Sequence, residues 1–312
     1  MQKLVMHING HPVPFYQADL NYSVDQLAHT FDCTIPPMVI ESPLPVAFYL
    51  GDKLILTGQI DKASSATATS STSLKITGRS KSANMIDSRI TMDALYDQNV
   101  EKLLRSLAKP FGLGVKSLVG AMPVIDEFQI NAESPVENVA QIIREQGFML
   151  IERNGVLTIE NTAHTTVKGI ALEVGNNIDS LDIERTFNEQ FHHIEVQGAW
   201  DDAHAVVTMP AISQSRTMVI ICDQLQKAQA CLSRAEYERD LSIAKSLTAS
   251  STIADLFHEL AIDGLNRVIQ VIDNKQSLNE MLVIKALGLS VSESSQSTKI
   301  TLSRPFKEQS YA

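Results

Sequence analysis

Between Leu74 and Ile159 the spacing of the apolar residues changes twice, which restricts the chain to a fold that joins strands to a small helical segment. A strand closes on Gly78-Arg79, and an apolar stretch ending at Met85-Ile86-Asp87 follows. Val100, Leu103, Leu104 and Leu107 then fall at i, i+3, i+4 and i+7, one face of a helix, and Pro110-Phe111-Gly112 ends it. Ser134-Pro135-Val136-Glu137 predicts a second helix, opened by a capping box and a proline at its first position. Its buried face would be Val136, Val139, Ala140 and Ile143, with Gly147 as the C-terminal cap. Phe148 to Glu152 and Val156 to Glu160 pair around an Asn154-Gly155 turn. These residues turn, cap and pack; none of them forms a catalytic motif.

On either side the pattern is β. Leu4, Met6 and Ile8 alternate with Val5 and His7 before an Asn9-Gly10 turn, and two strands flank Gly51-Asp52. Short strands with close turns predict a small barrel or sandwich for the N-terminal region. Ser64 to Ser73 is almost wholly Ser, Thr and Ala, which predicts a flexible loop, or one that orders against a neighbouring subunit. After Lys168 strands return at Ile170–Val174 and His193–Gln197, and again from Val268. A helix over about 223–247 interrupts them, with Leu225, Ala228, Leu232 and Ala235 on one side. The predicted organisation is residues 1–90 (β), 91–167 (a small α/β middle domain) and 168–312 (β with a helical insertion).

The chemistry that could hide in such a chain is limited. The formal net charge of −10 opposes binding to a phosphate backbone. Cys33, Cys222 and Cys231 are too few and too irregularly spaced for a disulfide framework or a zinc knuckle. His192 and His193 are neighbours in a strand and point to opposite faces, so they cannot converge on one ion. His258-Glu259 lacks the second histidine of the helical zinc motif. Gly112 and Gly114 are not followed by the lysine-serine pair of a phosphate loop, and there is no nucleophile elbow. Carboxylates such as Asp126-Glu127, Asp179, Asp182 and Asp201-Asp202 could flank a glycosidic bond, but an acidic chain scatters such pairs by chance. The expectation is a protein without enzymatic activity, cofactor or metal. No apolar run reaches the roughly 20 residues that would span a bilayer as a helix.

The order of these signals resembles the phage Mu-type baseplate hub proteins, the tail protein P family of Mu-like phages and prophages. The resemblance covers nearly the whole length. It is carried by Leu4 to Gly10, Leu56 to Asp61, Ile76-Thr77-Gly78-Arg79 with Asp87, and Lys109-Pro110-Phe111-Gly112. The Ser134–Glu137 helix start with Gly147, the Asn154-Gly155 hairpin, Val196-Gln197-Gly198 and Thr301 to Pro305 continue it. Where many members have a glycine-tryptophan pair before the last β section, this chain has Leu256-Phe257-His258.

The resemblance implies an α+β, mainly β fold with two tube-like β-barrel domains, a small α/β middle domain and a helical insertion near the C-terminal barrel. It further implies a homotrimer whose six similar barrels adapt a hexameric tail tube to a trimeric central spike. Its partners would be itself, the spike, the tube and the baseplate wedge proteins. DNA would pass through a channel without specific binding. Such a chain would be found in the virion's tail baseplate, and in the host cytoplasm before assembly. Two other readings carry different consequences: a hub or spike component of a tailocin or type VI-like secretion apparatus, and a tail-associated peptidoglycan-degrading enzyme.

Overall fold

A computed structural model describes residues 3–306, except 69, 70, 121, 123, 146, 147, 164, 223, 224 and 226. Leu4–Ile8 (β1) turns through Asn9 and Gly10, both at positive φ, into His11–Val13 (β2). Gln17–Ser23 (β3), Thr30–Ile35 (β4), Pro45–Leu50 (β5), Lys53–Ala68 (β6) and Ser71–Ser80 (β7) complete the N-terminal strands. Alternation sets their inner face: Leu4, Met6 and Ile8 of β1 are buried, as are Phe31, Cys33 and Ile35 of β4.

The central region alternates helix and strand. Ala83–Asp87 (α1) leads to Ile90–Asn99 (β8) and then Val100–Ala108 (α2). The Asn99 side chain caps α2 by accepting from Lys102 N, and Val100, Leu103, Leu104 and Leu107 are buried as their spacing predicts. A 3-10 turn at Lys109–Phe111 and a left-handed Gly112 (φ +66) end the helix. Gly114–Ser117 (β9), Val124–Glu133 (β10), Glu137–Glu145 (α3), Phe148–Arg153 (β11) and Val156–Asn161 (β12) follow. β8 pairs with β10, and β12 lies between β11 and β9. Met85, Leu104, Ile130, Val139, Ile143 and Ile159 share this region's core.

The remaining strands are Thr165–Glu173 (β13), Asp182–Arg185 (β14), His193–Gln197 (β15), His204–Thr208 (β16) and Thr217–Ile221 (β17). Ala228–Lys245 (α4) packs against β15 and β16. Leu247–Ile253 (β18), His258–Asp263 (α5), Arg267–Asp273 (β19), Leu278–Ser292 (β20) and Gln296–Ser303 (β21) close the chain. β15, β16 and β17 form a three-stranded sheet of their own.

The mainly β class is as expected, but the barrel detail needs correction. A 13-stranded sheet runs β14-β18-β21-β20-β3-β4-β7-β6-β5-β1-β2, with β13 and β19 branching from β20. Closing the N-terminal strands into their own barrel would require β2 to meet β3. The second edge of β3 is already taken by β20, with Leu20 opposite Leu289. Strands from both ends of the chain therefore share one sheet, and among the described residues no ladder closes either set into a separate tube-like barrel. One core draws on both sets, including Leu20, Phe31, Phe48 and Ile76 with Leu287, Leu289 and Ile300.

Three local expectations also change. Residues 64–68 and 71–73 are paired strand, not open loop, with Ser65 opposite Leu74 and Thr67 opposite Thr72. The capping box at Ser134 does not form: its Oγ lies 3.5 Å from Val136 N and donates to Met85 O (3.4 Å), and α3 begins at Glu137. The hydroxyl serves the packing of α1 instead. On α4 the buried residues are Cys231, Ala235, Asp240 and Ser242, while Ala228 is exposed. Gly147, expected as the cap of α3, lies outside the described residues.

Candidate functional site

Five of the residues singled out in the sequence lie at two places: Gly78, Arg79 and Asp87 at the root of a projecting β-ribbon, and Asn154 and Gly155 in a buried polar joint beneath it. The ribbon is the far part of β6 and β7. At its root the two backbones approach so closely that side chains are excluded. A Cβ on Gly78 would lie 2.0 Å from Gln59 O and 2.4 Å from the Phe31 ring, and one on Gly58 would lie 2.1 Å from Arg79 O. Glycine is required there by the contact between strands.

The next residue fixes the direction of the ribbon. The register of β6 on β7 shifts between Ile60 and Lys62, so Asp61 is the bulged residue. Arg79 donates from Nε to Asp61 (2.6 Å) and grips Asp87 at the end of α1 with two parallel bonds, 3.0 and 2.5 Å. The bonds to Asp87, then to Asp61, raise the pKa of Arg79, and the same guanidinium lowers that of Asp87. Gln59 and Asn84 exchange a reciprocal pair of amide hydrogen bonds, 2.9 and 3.0 Å, alongside. The Gly78-Arg79-Asp87 part of the signature therefore anchors a bulge to a helix.

The joint is built on Glu152 of β11, which is 1% exposed. Its carboxyl group accepts from the hydroxyls of Ser80 and Ser82, from Ser82 N (3.3 Å) and from Gly155 N (2.9 Å). The last bond needs the tight turn at Asn154 (φ +52) and Gly155 (φ +82), and Asn154 Nδ2 itself donates to Leu54 O of β6 (3.0 Å). His29 Nε2 is 2.9 Å from Glu152 O; a carbonyl only accepts, so Nε2 carries the proton. Burial lowers the pKa of His29, and its Nδ1 has no hydrogen-bond partner in the structure. The two serines beside a histidine and a glutamate have the composition of a nucleophilic site, but not its wiring. Both hydroxyls are held by the buried carboxyl group and the imidazole faces a carbonyl, so the histidine is not aimed at a serine, and both serines are buried.

A second half of the joint ties the hairpin to the C-terminal strands. Arg153 reaches Glu160 (3.0 Å), Leu265 O (3.2 Å) and Asp263 (3.2 Å). Asn266 donates to Glu160 and to Asn161 O, both at 2.8 Å, and accepts from Ala163 N (2.8 Å). Arg267 pairs with Asp263 (2.6 Å). The joint thus links all three regions of the chain.

The other predicted residues are structural in position. Pro110 and Phe111 form the 3-10 turn closed by Gly112 N donating to Lys109 O (3.1 Å). Ser134 is buried against α1, and Glu137 begins α3.

Besides His29 and Glu152 of the joint, sequence reasoning missed a cluster on β15 and β16. Although His192 and His193 do diverge, His193 and Glu195 share a face of β15, and His204 arrives from β16 through the register that sets it against Gln197. Glu195 takes bonds from Gln197 (2.7 Å), His193 (3.3 Å) and His204 (3.1 Å), which lower its pKa in that order. A hairpin register would have found His204. Among the described residues no group of three such side chains has the geometry to hold a metal ion.

No protein-family model matches the sequence. The baseplate hub protein gp44 of Escherichia phage Mu is 25% identical over 226 residues, which are 65% of this chain and 59% of that protein. The chain thus matches less than two thirds of that relative's length. Among solved structures, the 43 kDa tail protein of prophage MuSo2 from Shewanella oneidensis superposes with a TM-score of 0.87 at 20% identity, covering 97% of this chain and 98% of the other. A tail protein from Neisseria meningitidis MC58 gives 0.84 at 15% identity, covering 97% and 96%. In sequence the chain is similar to the baseplate hub protein of phage Mu, and in fold to these two tail proteins.

Proposed function

We propose that this chain is a structural baseplate hub of a contractile tail, acting by assembly and not by catalysis. The observation that supports it best is the fold shared over nearly the whole length with two tail proteins, one of them from a prophage, together with the match to the Mu hub. In this reading three copies form a ring that adapts a sixfold tube to a threefold spike and leaves a channel for DNA. The spike, the tube and the surrounding baseplate proteins are its partners, and the virion is its destination. The buried joint supports a rigid role: it binds three regions of the chain through hydrogen bonds that leave no hydroxyl free to attack a substrate.

Charge fits the same role. Three copies carry 3 × (−10) = −30 formal charges, and a channel wall of that sign would let DNA pass without adhering. The test is electron microscopy of the purified protein with its solution mass. A threefold ring with a central opening, at three times 34.3 kDa, is expected. A monomer at all concentrations, or wall-degrading activity lost on replacing a single carboxylate, would overturn the reading.

A further inference from the structure

The ribbon leaves the body of the protein with one edge bare. β5 accompanies β6 only as far as Gln59, opposite Pro45, and the last bond on that side is Ile60 N to Leu44 O (3.0 Å). β4 accompanies β7 only down to Leu74, opposite Ile35. From Asp61 to Ala68, β6 has β7 on one side and, among the described residues, no strand on the other. At about 3.4 Å per residue this bare edge is on the order of 25 Å long. Residues 61–67 are all exposed, and although Leu74 and Ile76 of β7 still face the core opposite Ser65 and Ala63, the strand pair beyond them covers none.

Two strands without a buried face are marginally stable in water, and a bare edge is a template for another strand. Beyond the bulge at Asp61 and the charge of Lys62, the usual protections are missing. The ribbon contains no proline, its lysines sit at the base, and Lys75 is tied to Asp32 at 2.7 Å. The root, by contrast, is firmly built, with Arg79 holding the bulge at Asp61 and so setting the ribbon's angle.

The composition indicates what the edge accepts. From Ala63 to Ser73 there is no ionisable side chain, in a chain whose net charge is −10. Two copies of such a chain repel each other, and an uncharged segment is where they can approach most closely. A nucleic acid would call for cations along the ribbon, and a lipid surface for large apolar side chains; it has neither. Serine, threonine and alanine let another backbone come near and leave recognition to main-chain hydrogen bonds.

We propose that the bare edge of β6, Asp61–Ala68, is completed in the assembled protein by a strand edge of a second copy of this chain. The proposal rests on the hub reading above and names the surface through which one subunit meets the next. An arm that docks on a different surface of its neighbour makes a head-to-tail contact, the kind that closes into a ring.

Three variants test it, read by sedimentation over a wide concentration range. Replacing Ala66–Ser73 by Asn-Gly shortens the ribbon while keeping Ser65 opposite Leu74. Ser65→Glu with Thr67→Glu keeps its length but puts two negative charges on one face. Ser65→Lys with Thr67→Lys is the sign control. We expect the wild type to self-associate, the short-arm variant to lose association, and the Glu variant to associate at least tenfold more weakly and recover in high salt. The Lys variant should associate at least as well as the wild type, and all should keep the wild-type circular dichroism.

Equal association by the short-arm, Glu and wild-type proteins would overturn this inference while leaving the hub reading standing. A wild type that stays monomeric throughout would instead overturn the self-assembly on which both rest. Arm-dependent retention of double-stranded DNA, with no change in mass, would also count against a second copy as occupant.

Discussion

The ribbon and the joint lie at opposite ends of the same strands, and they solve opposite problems. In the joint, polar groups are buried and most of their bonds are made within the chain: Glu152 alone takes four donors from Ser80, Ser82 and Gly155, while His29 Nδ1, Asn154 Oδ1 and Glu160 Oε2 have no hydrogen-bond partner. In the ribbon, polar groups are exposed and, among the described residues, the β6 edge from Asp61 to Ala68 has no partner strand. The joint is held by bonds within the chain, whereas the ribbon is complete only if something outside the chain pairs with it. Rigidity and assembly are thereby separated along β6 and β7, with Gly78 and Arg79 at the boundary.

The contrast breaks most visibly at Glu152. Glu152→Leu would strand the Ser80, Ser82 and Gly155 donors in a buried site, at a cost of about 3–5 kcal/mol in urea unfolding. A loss under about 1 kcal/mol would mean that the joint does not hold the regions together. Gly78→Ala forces a methyl group against Gln59 O and the Phe31 ring, where overpacking costs about 3 kcal/mol, read as a fall in the unfolding midpoint.

His29 makes the joint sensitive to acid. Its folded-state pKa lies below the unfolded value of about 6.5, so the unfolded chain takes up a proton that the folded one refuses. Stability from this group is present above pH 6.5 and is lost as pH falls below it. Between pH 7.5 and 5.5 the wild type should lose more stability than His29→Gln, and parallel pH profiles for the two proteins would contradict this. Arg79→Ala is expected to cost about 1 kcal/mol globally, since the side chain is a third exposed, but to loosen the ribbon specifically. Smallest of all, Ser65→Glu in the exposed ribbon should change stability by less than about 0.5 kcal/mol while weakening self-association.

Much of the local structure was legible because short-range rules decide it. Three Gly-containing turns, at residues 9–10, 51–52 and 154–155, stand where the sequence predicts them, as does the buried stripe of α2. The pairing of β3 with β20 was not legible. It joins residues more than 260 positions apart, as with Leu20 and Leu289, and no local signal tells a strand which edge it will find. Ser64 to Ser73 misled for a different reason. Low hydrophobicity normally marks a loop, yet here the strong pairing of β6 with β7 nearer the body extends outward through it. At the site, Gly78, Arg79 and Asp87 were visible as a pattern, but their shared role appears only with the bulge at Asp61. His29 and Glu152 carried no signal, being single residues brought together across 123 positions.

Amide hydrogen exchange over segments 61–68 and 148–160, followed from dilute to concentrated protein, tests the contrast most directly. The account predicts that the hairpin amides of the joint are protected at every concentration. The ribbon amides on the bare edge, facing away from β7, should exchange freely in the monomer and gain protection only as copies associate. Ribbon amides as protected as the joint in the dilute monomer, or still unprotected in the assembled form, would contradict it.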